Sequence, residues 1–76
     1  MEETIEMEER LLEIFAEVLD VDVETLTMDS TRDDIEEWDS LAMVELVGEI
    51  EHAFECRIPF EDIENCHAIK DFVKYL

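Results

Sequence analysis

The sequence predicts an all-α protein: a small four-helix bundle of three longer helices and one short helix, with a long loop between the first and second helices. Apolar residues recur at helical spacing in three separate segments. No stretch alternates apolar and polar residues as a β-strand would, and no repeat, low-complexity tract or linker interrupts the chain. With 76 residues, we expect a single domain over 1–76.

The first helix is predicted from about Thr4 to Leu19, with one apolar face and one face of mostly glutamates that is expected to be solvated. From Asp20 to Asp39 the periodicity fails, which predicts a long loop. Loops of this length in small domains are usually held in place by their own apolar side chains. The helix contributes Ile5, Leu11, Leu12, Phe15, Val18 and Leu19 to its apolar face, and the loop is expected to be held by Leu26, Met28 and Ile35.

The second helix is predicted from Ser40 to about Phe54, with Asp39 as N-cap because its carboxylate can accept hydrogen bonds from first-turn amides. One apolar row has the spacing of a core-facing stripe. A second, shallower row lies on the side of Ser40, and we expect a partner to dock there. The core row is Met43, Leu46, Val47, Ile50 and Phe54, and the docking row is Leu41, Val44 and Gly48, bordered by Glu45, Glu49 and Glu51.

The remainder of the chain predicts one short and one longer helix. Pro59 ends a connection, and residues 60–64 are long enough for only a short helical turn. A third long helix is predicted from about His67 to Leu76 and closes the bundle. The side chains expected to cover the core are Ile58, Phe60 and Ile63 before this helix and Ile69, Phe72, Val73 and Leu76 on it.

Acidic residues dominate the composition, since 24 Asp and Glu against 5 Lys and Arg give a formal net charge of −19. Such a field repels nucleic-acid phosphates and anionic lipids, so we expect neither nucleic-acid nor membrane binding and instead expect partners with basic surfaces. No apolar run could span a bilayer, and the N-terminus lacks the positive region of a signal peptide, which predicts a cytoplasmic protein. Two cysteines are too few for a disulfide framework.

Ser40 is the residue that we expect to be modified. Its neighbours Asp39 and Leu41 offer no base to activate the hydroxyl, and both histidines lie well downstream, so the serine is typical of a substrate and not of a nucleophile. The start of a helix also favours a phosphate there, because first-turn amides and the macrodipole attract anions. On local spacing alone, an ordinary first-turn serine is the better interpretation.

The wider pattern changes that interpretation. Asp39-Ser40-Leu41, the Arg57-Ile58-Pro59 connection and the closing helix, together with Val44, Glu45, Leu46, Glu51 and Phe54, resemble the corresponding parts of acyl carrier proteins over nearly the whole chain. The resemblance implies that a separate phosphopantetheinyl transferase moves 4′-phosphopantetheine from coenzyme A onto Ser40. The thiol of this arm would then carry acyl or aminoacyl groups as thioesters, and magnesium would belong to the transferase.

The resemblance also implies a recognition surface for the transferase, for acyl- or aminoacyl-loading enzymes and for downstream synthases with basic docking surfaces. Trp38 stands where many family members have Gly, a pattern similar to that of discrete carriers in specialised pathways, and Gly48 stands where a larger apolar residue is usual. Trp38 either shields the arm or an interface, or packs against the loop. The expected contact residues are Asp39, Leu41, Val44, Glu45, Gly48 and Glu51, with Glu37 and Glu49 as weaker additions.

We therefore predict a monomeric acyl carrier of fatty-acid or polyketide-type biosynthesis, with no catalytic residue and no metal site. An aminoacyl or peptidyl carrier of the same fold, or an unmodified acidic interaction module, are the alternatives. A zinc site is disfavoured because Cys66 and His67 lack the usual ligand spacing, and the acidic loop lacks the glycine and glutamate of an EF-hand. A hydrolase dyad would need an apolar pocket to raise the pKa of one carboxyl, and the sequence has no sign of one.

Overall fold

The computed structural model describes the backbone of residues 2–76 and the side chains of residues 6–76. Its α-helices are α1 (Glu2–Leu19), α2 (Ser40–Phe54) and α3 (Phe60–Ile63), followed by a C-terminal 3-10 helix, Ile69–Tyr75. The described chain has no β-strand, and one antiparallel bridge joins Thr31 to Ala68. The prediction of a small all-α bundle is confirmed.

The core lies between α1, α2 and the C-terminal helix, where the apolar faces of these elements meet. The predicted core row of α2 is buried, apart from Phe54, which is half-buried against it. On α1, Ile14 is buried although the sequence did not assign it, whereas Leu12 and Val18 are half-buried. The side chain of Ile5 lies outside the described residues. The fully or nearly buried residues of α1 and the C-terminal helix are Leu11, Ile14, Phe15, Leu19, Ile69 and Phe72.

The long loop between α1 and α2 packs onto this core through its own apolar side chains. Leu26 and Ile35 are buried and Met28 is partly buried, as predicted. A short 3-10 turn, Val23–Thr25, interrupts the loop near its start. The loop is therefore an ordered wall of the domain, which matters because its last residues lead into Ser40.

Backbone hydrogen bonds also join the loop to the chain that precedes the C-terminal helix. The amide of Arg32 donates to the carbonyl of His67 at 2.8 Å, and the amide of Ile69 donates to the carbonyl of Ser30 at 3.0 Å. Lys70 adds an exposed ion pair with Asp29 at 3.1 Å. The middle of the loop is thus fixed to a distant part of the sequence, which restricts its freedom beside α2.

The C-terminal helix is shorter than predicted and has 3-10 geometry. The carboxylate of Asp71 accepts hydrogen bonds from the amides of His67 and Ala68, both at 2.9 Å, and these two residues precede the helix that was expected to begin at His67. The same hydrogen bonds, that from Ala68 first, lower the pKa of the Asp71 carboxyl. The helix therefore begins at Ile69, after an extended residue that the side chain of Asp71 holds in place.

Phe60 was expected to cover the core, and this was wrong, because its side chain is 85% exposed. Ile58, before Pro59, and Cys66, after α3, are both buried and already fill this part of the core. The single turn of α3 adds only a half-buried Ile63 to them. Phe60 is thus left on the surface, on an element that flanks the start of α2.

Candidate functional site

Ser40 is the first residue of α2, and its side chain is exposed. Asp39 precedes it in an extended conformation, and the Asp39 carboxylate accepts a hydrogen bond from the amide of Ala42 at 2.8 Å. Asp39 is therefore the N-cap, as predicted. The cap fixes the direction in which the helix starts and so holds the hydroxyl of Ser40 at the surface.

Trp38 anchors the backbone two residues before Ser40. It is only 3% exposed, and its ring meets that of Phe15 edge to face, with the ring centroids 5.0 Å apart. Phe72 completes an aromatic cluster, at 5.5 Å from Phe15 and 6.4 Å from Trp38. The geometry agrees with a structural role inside the domain, although the aromatic rings that Trp38 meets belong to α1 and the C-terminal helix and not to the loop.

An open cleft of about 200 Å³ lies beside Ser40, between the starts of α2 and α3. Its walls are mostly apolar, with one carboxylate and one guanidinium. An exposed hydroxyl at a helix start can bear a phosphate, and an open apolar cleft next to it can accept an extended chain. These residues therefore fit a phosphopantetheine group. The cleft is lined by Arg32, Ser40, Met43, Val44, Phe60, Ile63 and Glu64.

The predicted docking row lies on the outside of α2 and is accessible. Leu41 is 71% and Val44 70% exposed, and Glu45 beside them is also exposed. A Cβ at Gly48 would meet no atom of the described residues within 4 Å, so close packing against them does not require this glycine. The row is thus a shallow apolar strip with acidic borders, continuous with the start of the helix at Ser40.

Glu51 differs from the other residues assigned to partner recognition. Its side chain is half-buried, and its Oε2 accepts a hydrogen bond from the amide of Ile58 at 2.8 Å. Glu51 therefore holds the connection that follows α2 against the helix. Its contact with a partner stays a prediction, whereas its internal hydrogen bond is a property of the fold.

The cysteines and histidines do not form a metal site in residues 6–76, where no group of three or more potential ligands is present. Cys66 is buried, and its thiol donates to the carbonyl of Asp62 at 3.5 Å. Burial raises the pKa of the Cys66 thiol, and it also raises the pKa of the half-buried Cys56. Both thiols therefore favour the protonated form.

Five residues of the cleft were not assigned to the site from the sequence, and Phe60 and Arg32 stand out among them; the five are Arg32, Met43, Phe60, Ile63 and Glu64. Phe60 was given to the core, although its place directly after Pro59, at the start of a one-turn helix, could have indicated the surface. Arg32 was passed over because it lies in an aperiodic loop. Its positive charge could have indicated a role, because Arg32 is one of only 5 basic residues in the chain.

A protein-family model described as "Phosphopantetheine attachment site" matches residues 9–76, which include α2, the cleft and the C-terminal part of α1. The chain belongs to the phosphopantetheine-binding acyl carrier protein family. It is 40% identical over 70 residues to the acyl carrier protein of Syntrophobacter fumaroxidans, an alignment that covers 92% of this chain and 86% of that relative. The acyl carrier protein of Clostridium perfringens is also 40% identical over 70 residues, with 92% of each chain covered.

Membership of this family identifies 4′-phosphopantetheine as the cofactor. Proteins of the family are carriers rather than catalysts, and they act together with phosphopantetheinyl transferases and synthase enzymes. In the described part of the chain, no helix has both the length and the apolar character that a membrane span requires.

Proposed function

We propose that this protein is a discrete acyl carrier that holds acyl groups as thioesters on a 4′-phosphopantetheine arm attached to Ser40. It would move these groups between the enzymes of fatty-acid or polyketide-type biosynthesis. The observation that carries the proposal is the exposed hydroxyl of Ser40 at the capped start of α2, inside the matched family region. The arm, when bound, supplies the thiol at which the thioester forms.

The residues around Ser40 suit the attachment of an anionic group. The amide of Ala42 already donates a hydrogen bond to the carboxylate of Asp39. The amides of Ser40 and Leu41 lie in the first turn, where no intrahelical carbonyl is available to them. These amides and the helix dipole favour a negative charge at Ser40 Oγ by about 0.3 to 1 kcal/mol at an exposed site. The helix start thus offsets part of the repulsion between a phosphate and the many carboxylates of the chain.

The outer side of α2 is proposed as the surface that the transferase, loading enzymes and downstream synthases recognise. Apolar contact at Leu41 and Val44 would be surrounded by acidic residues, which suit enzymes with basic docking surfaces. Long-range attraction raises the rate of encounter without requiring tight binding, as a carrier with several successive partners needs. The proposed contact residues are Asp39, Leu41, Val44, Glu45, Gly48 and Glu51, with smaller contributions from Glu37 and Glu49.

The chain itself is proposed to perform no catalysis. Transfer of the arm, with its magnesium requirement, and formation of the thioester belong to partner enzymes, which also choose the cargo. We further propose that the protein acts as a single carrier domain, as a monomer and in the cytoplasm.

The decisive experiment is intact-protein mass spectrometry after incubation with coenzyme A, magnesium and a broad-specificity phosphopantetheinyl transferase. The expected result is a gain of one phosphopantetheine that is lost in Ser40→Ala. The chain has one other serine, Ser30, which makes Ser30→Ala the matched control and should leave the gain unchanged. If the folded protein gained no mass with several transferases, the proposal would fail and an unmodified interaction module would replace it.

Loading assays then separate the two kinds of carrier. The holo protein would be offered malonyl or longer acyl groups and, in parallel, activated amino acids, each with its own loading enzyme. Acyl loading alone supports the proposal. Exclusive aminoacyl loading would identify an aminoacyl or peptidyl carrier of the same fold.

The recognition surface is tested by charge reversal at Glu45 on α2, with Glu13→Lys on α1 as a control of equal charge change. At an ionic strength near 0.15 M, screening limits each effect to about 8 Å. Glu45→Lys is expected to raise the KM for the carrier in the transferase reaction about 5- to 10-fold, equivalent to about 1 to 1.4 kcal/mol. Equal changes for the two variants would indicate a general charge effect and count against a local docking surface.

A further inference from the structure

We infer that Arg32 binds the phosphodiester that joins the arm to Ser40 and thereby positions the arm in the cleft between α2 and α3. Arg32 and Ser40 line the same cleft, although they come from different elements. The inference rests on the proposed function, because the phosphodiester exists only after Ser40 has been modified.

Arg32 is held in place by its backbone. Its amide donates to the carbonyl of His67 at 2.8 Å, and its neighbour Thr31 forms the antiparallel bridge to Ala68. Ile35, which follows three residues later, is buried in the core. The loop therefore presents the half-buried side chain of Arg32 at the wall of the cleft from a fixed point of attachment.

The guanidinium of Arg32 lacks an ion-pair partner among residues 6–76, because no carboxylate there lies within 4.0 Å of it. This is unexpected in a chain with 24 acidic residues, one of which, Glu64, lines the same cleft. A guanidinium offers paired donors that match two phosphate oxygens, so a phosphodiester on Ser40 is a well-suited partner. Arg32 would also offset the repulsion that Asp39 and Glu64 exert on a phosphate at this place.

The other basic side chains are placed elsewhere. Lys70 pairs with Asp29, and the ammonium of Lys74 lies 5.2 Å from the ring centroid of Tyr75. Arg10 lies near Phe54, at the far end of α2. Arg57 follows that same end, and the 15 residues of α2 put about 22 Å between its ends. Among these basic residues, Arg32 is therefore the one that lines the cleft beside Ser40.

The inference is tested on the holo protein, with Arg32→Gln, Arg32→Lys and Arg57→Gln. Arg57 is exposed and follows the end of α2 that is far from Ser40, so its glutamine variant removes the same charge at a distance from the cleft. Mass spectrometry first establishes that each variant carries one phosphopantetheine. The amide NMR spectrum of each variant is then compared with that of the wild type to establish that the fold is native. The ³¹P chemical shift of the phosphodiester is then measured, together with the ¹⁵N heteronuclear NOE of the two arm amides, using labelled pantetheine.

Arg32→Gln is expected to shift the ³¹P resonance and to lower the NOE of the arm amides. The docked population of the arm should fall about 1.4- to 5-fold, the range that corresponds to an exposed charge pair. Arg32→Lys should give an intermediate result because it keeps the charge without the planar fork. Arg57→Gln should match the wild type.

Holo Arg32→Gln with the phosphorus resonance and arm mobility of the wild type would overturn the role of Arg32 and leave the proposed function intact. The same changes in Arg57→Gln would also overturn it, since they would reflect net charge. If wild-type Ser40 is not modified at all, the proposed function fails and the role of Arg32 fails with it. The mass measurement therefore distinguishes the two failures.

Discussion

Two groups of apolar side chains lie close to Ser40 and differ in depth. The inner group, Phe15, Trp38 and Phe72, is almost inaccessible to solvent, and the ring of Phe15 meets the other two rings edge to face. The outer group, Leu41, Val44 and Phe60, is 71%, 70% and 85% exposed. Only surface that is removed from water contributes hydrophobic free energy to folding.

The inner group therefore holds the start of α2 in place, whereas the outer group contributes little to stability. Large exposed apolar side chains on an otherwise acidic surface fit the proposed contact with partner enzymes. Ser40 therefore lies between the buried inner group and the exposed outer group. Mutations in the inner group should affect folding, whereas mutations in the outer group should affect recognition by partners. Substitutions at four positions test this division.

The largest effect is expected for Trp38→Ala, which removes the inner ring that lies closest to Ser40 in the sequence. Truncating a buried Trp or Phe to Ala costs about 3 to 5 kcal/mol, a large part of the stability of so small a domain. Urea unfolding followed by circular dichroism measures this loss. Trp38→Phe is the matched control: it keeps an aromatic ring in the cluster and removes an indole N–H that has no acceptor among the described residues, so it should cost far less. Equal losses for the two variants would show that the cluster does not depend on ring packing.

Asp39→Ala, at the junction of the two groups, is expected to cost about 0.5 to 2 kcal/mol, because the hydrogen bond to the Ala42 amide is lost. Asp39→Asn keeps an N-cap and removes only the charge, so it should stay close to the wild type in stability. Urea unfolding compares the two. If Asp39→Asn lost as much as Asp39→Ala, charge and not capping would explain the effect.

Gly48→Ala tests the outer side of α2 where it has no side chain. Alanine has room there, and replacing glycine inside a helix is expected to add about 0.8 to 1 kcal/mol to the free energy of unfolding. Gly48→Met should also be tolerated by the fold, and its longer side chain should change the rate of cargo loading if partners contact this position. An unchanged loading rate for Gly48→Met would remove Gly48 from the recognition surface.

Phe60→Ser is expected to have the smallest effect on folding, within about 0.5 kcal/mol, because the ring is exposed. Its effect should instead appear as a higher KM for the carrier with transferase or loading enzymes. A large loss of stability would place Phe60 with the inner group and contradict the division. No change in either measurement would leave Phe60 as an isolated surface residue.

The parts of the fold that could be predicted are those that periodic sequence encodes. The core row of α2 and the cap at Asp39 depend on spacing and local chemistry, and both are confirmed. The position of Phe60 could not be predicted in this way, because it depends on Ile58 and Cys66 filling the core on either side of α3. Periodicity carries no information about depth in a helix of one turn.

The candidate site likewise has features that local sequence encodes and features that depend on tertiary structure. The exposure of Ser40 follows from its place directly after a capping residue, which sequence alone indicates. The hydrogen bond from Ile58 to Glu51 and the approach of Arg32 to the cleft both depend on tertiary structure. Arg32 in particular lines the cleft beside Ser40 because its loop pairs with residues from the C-terminal part of the chain, a contact that no local pattern specifies.

The state of the two cysteines has a consequence for the fidelity of cargo transfer. A thioester can be lost to any nearby thiolate, which would strand an acyl group on the protein and remove it from the pathway. Because burial raises the pKa of both Cys56 and Cys66, neither thiol competes readily as a nucleophile near neutral pH. In the folded holo protein the arm would carry the reactive thiol, and brief treatment with a maleimide would label it before either cysteine. The same packing that stabilises the bundle would thus protect the covalent bond to the cargo.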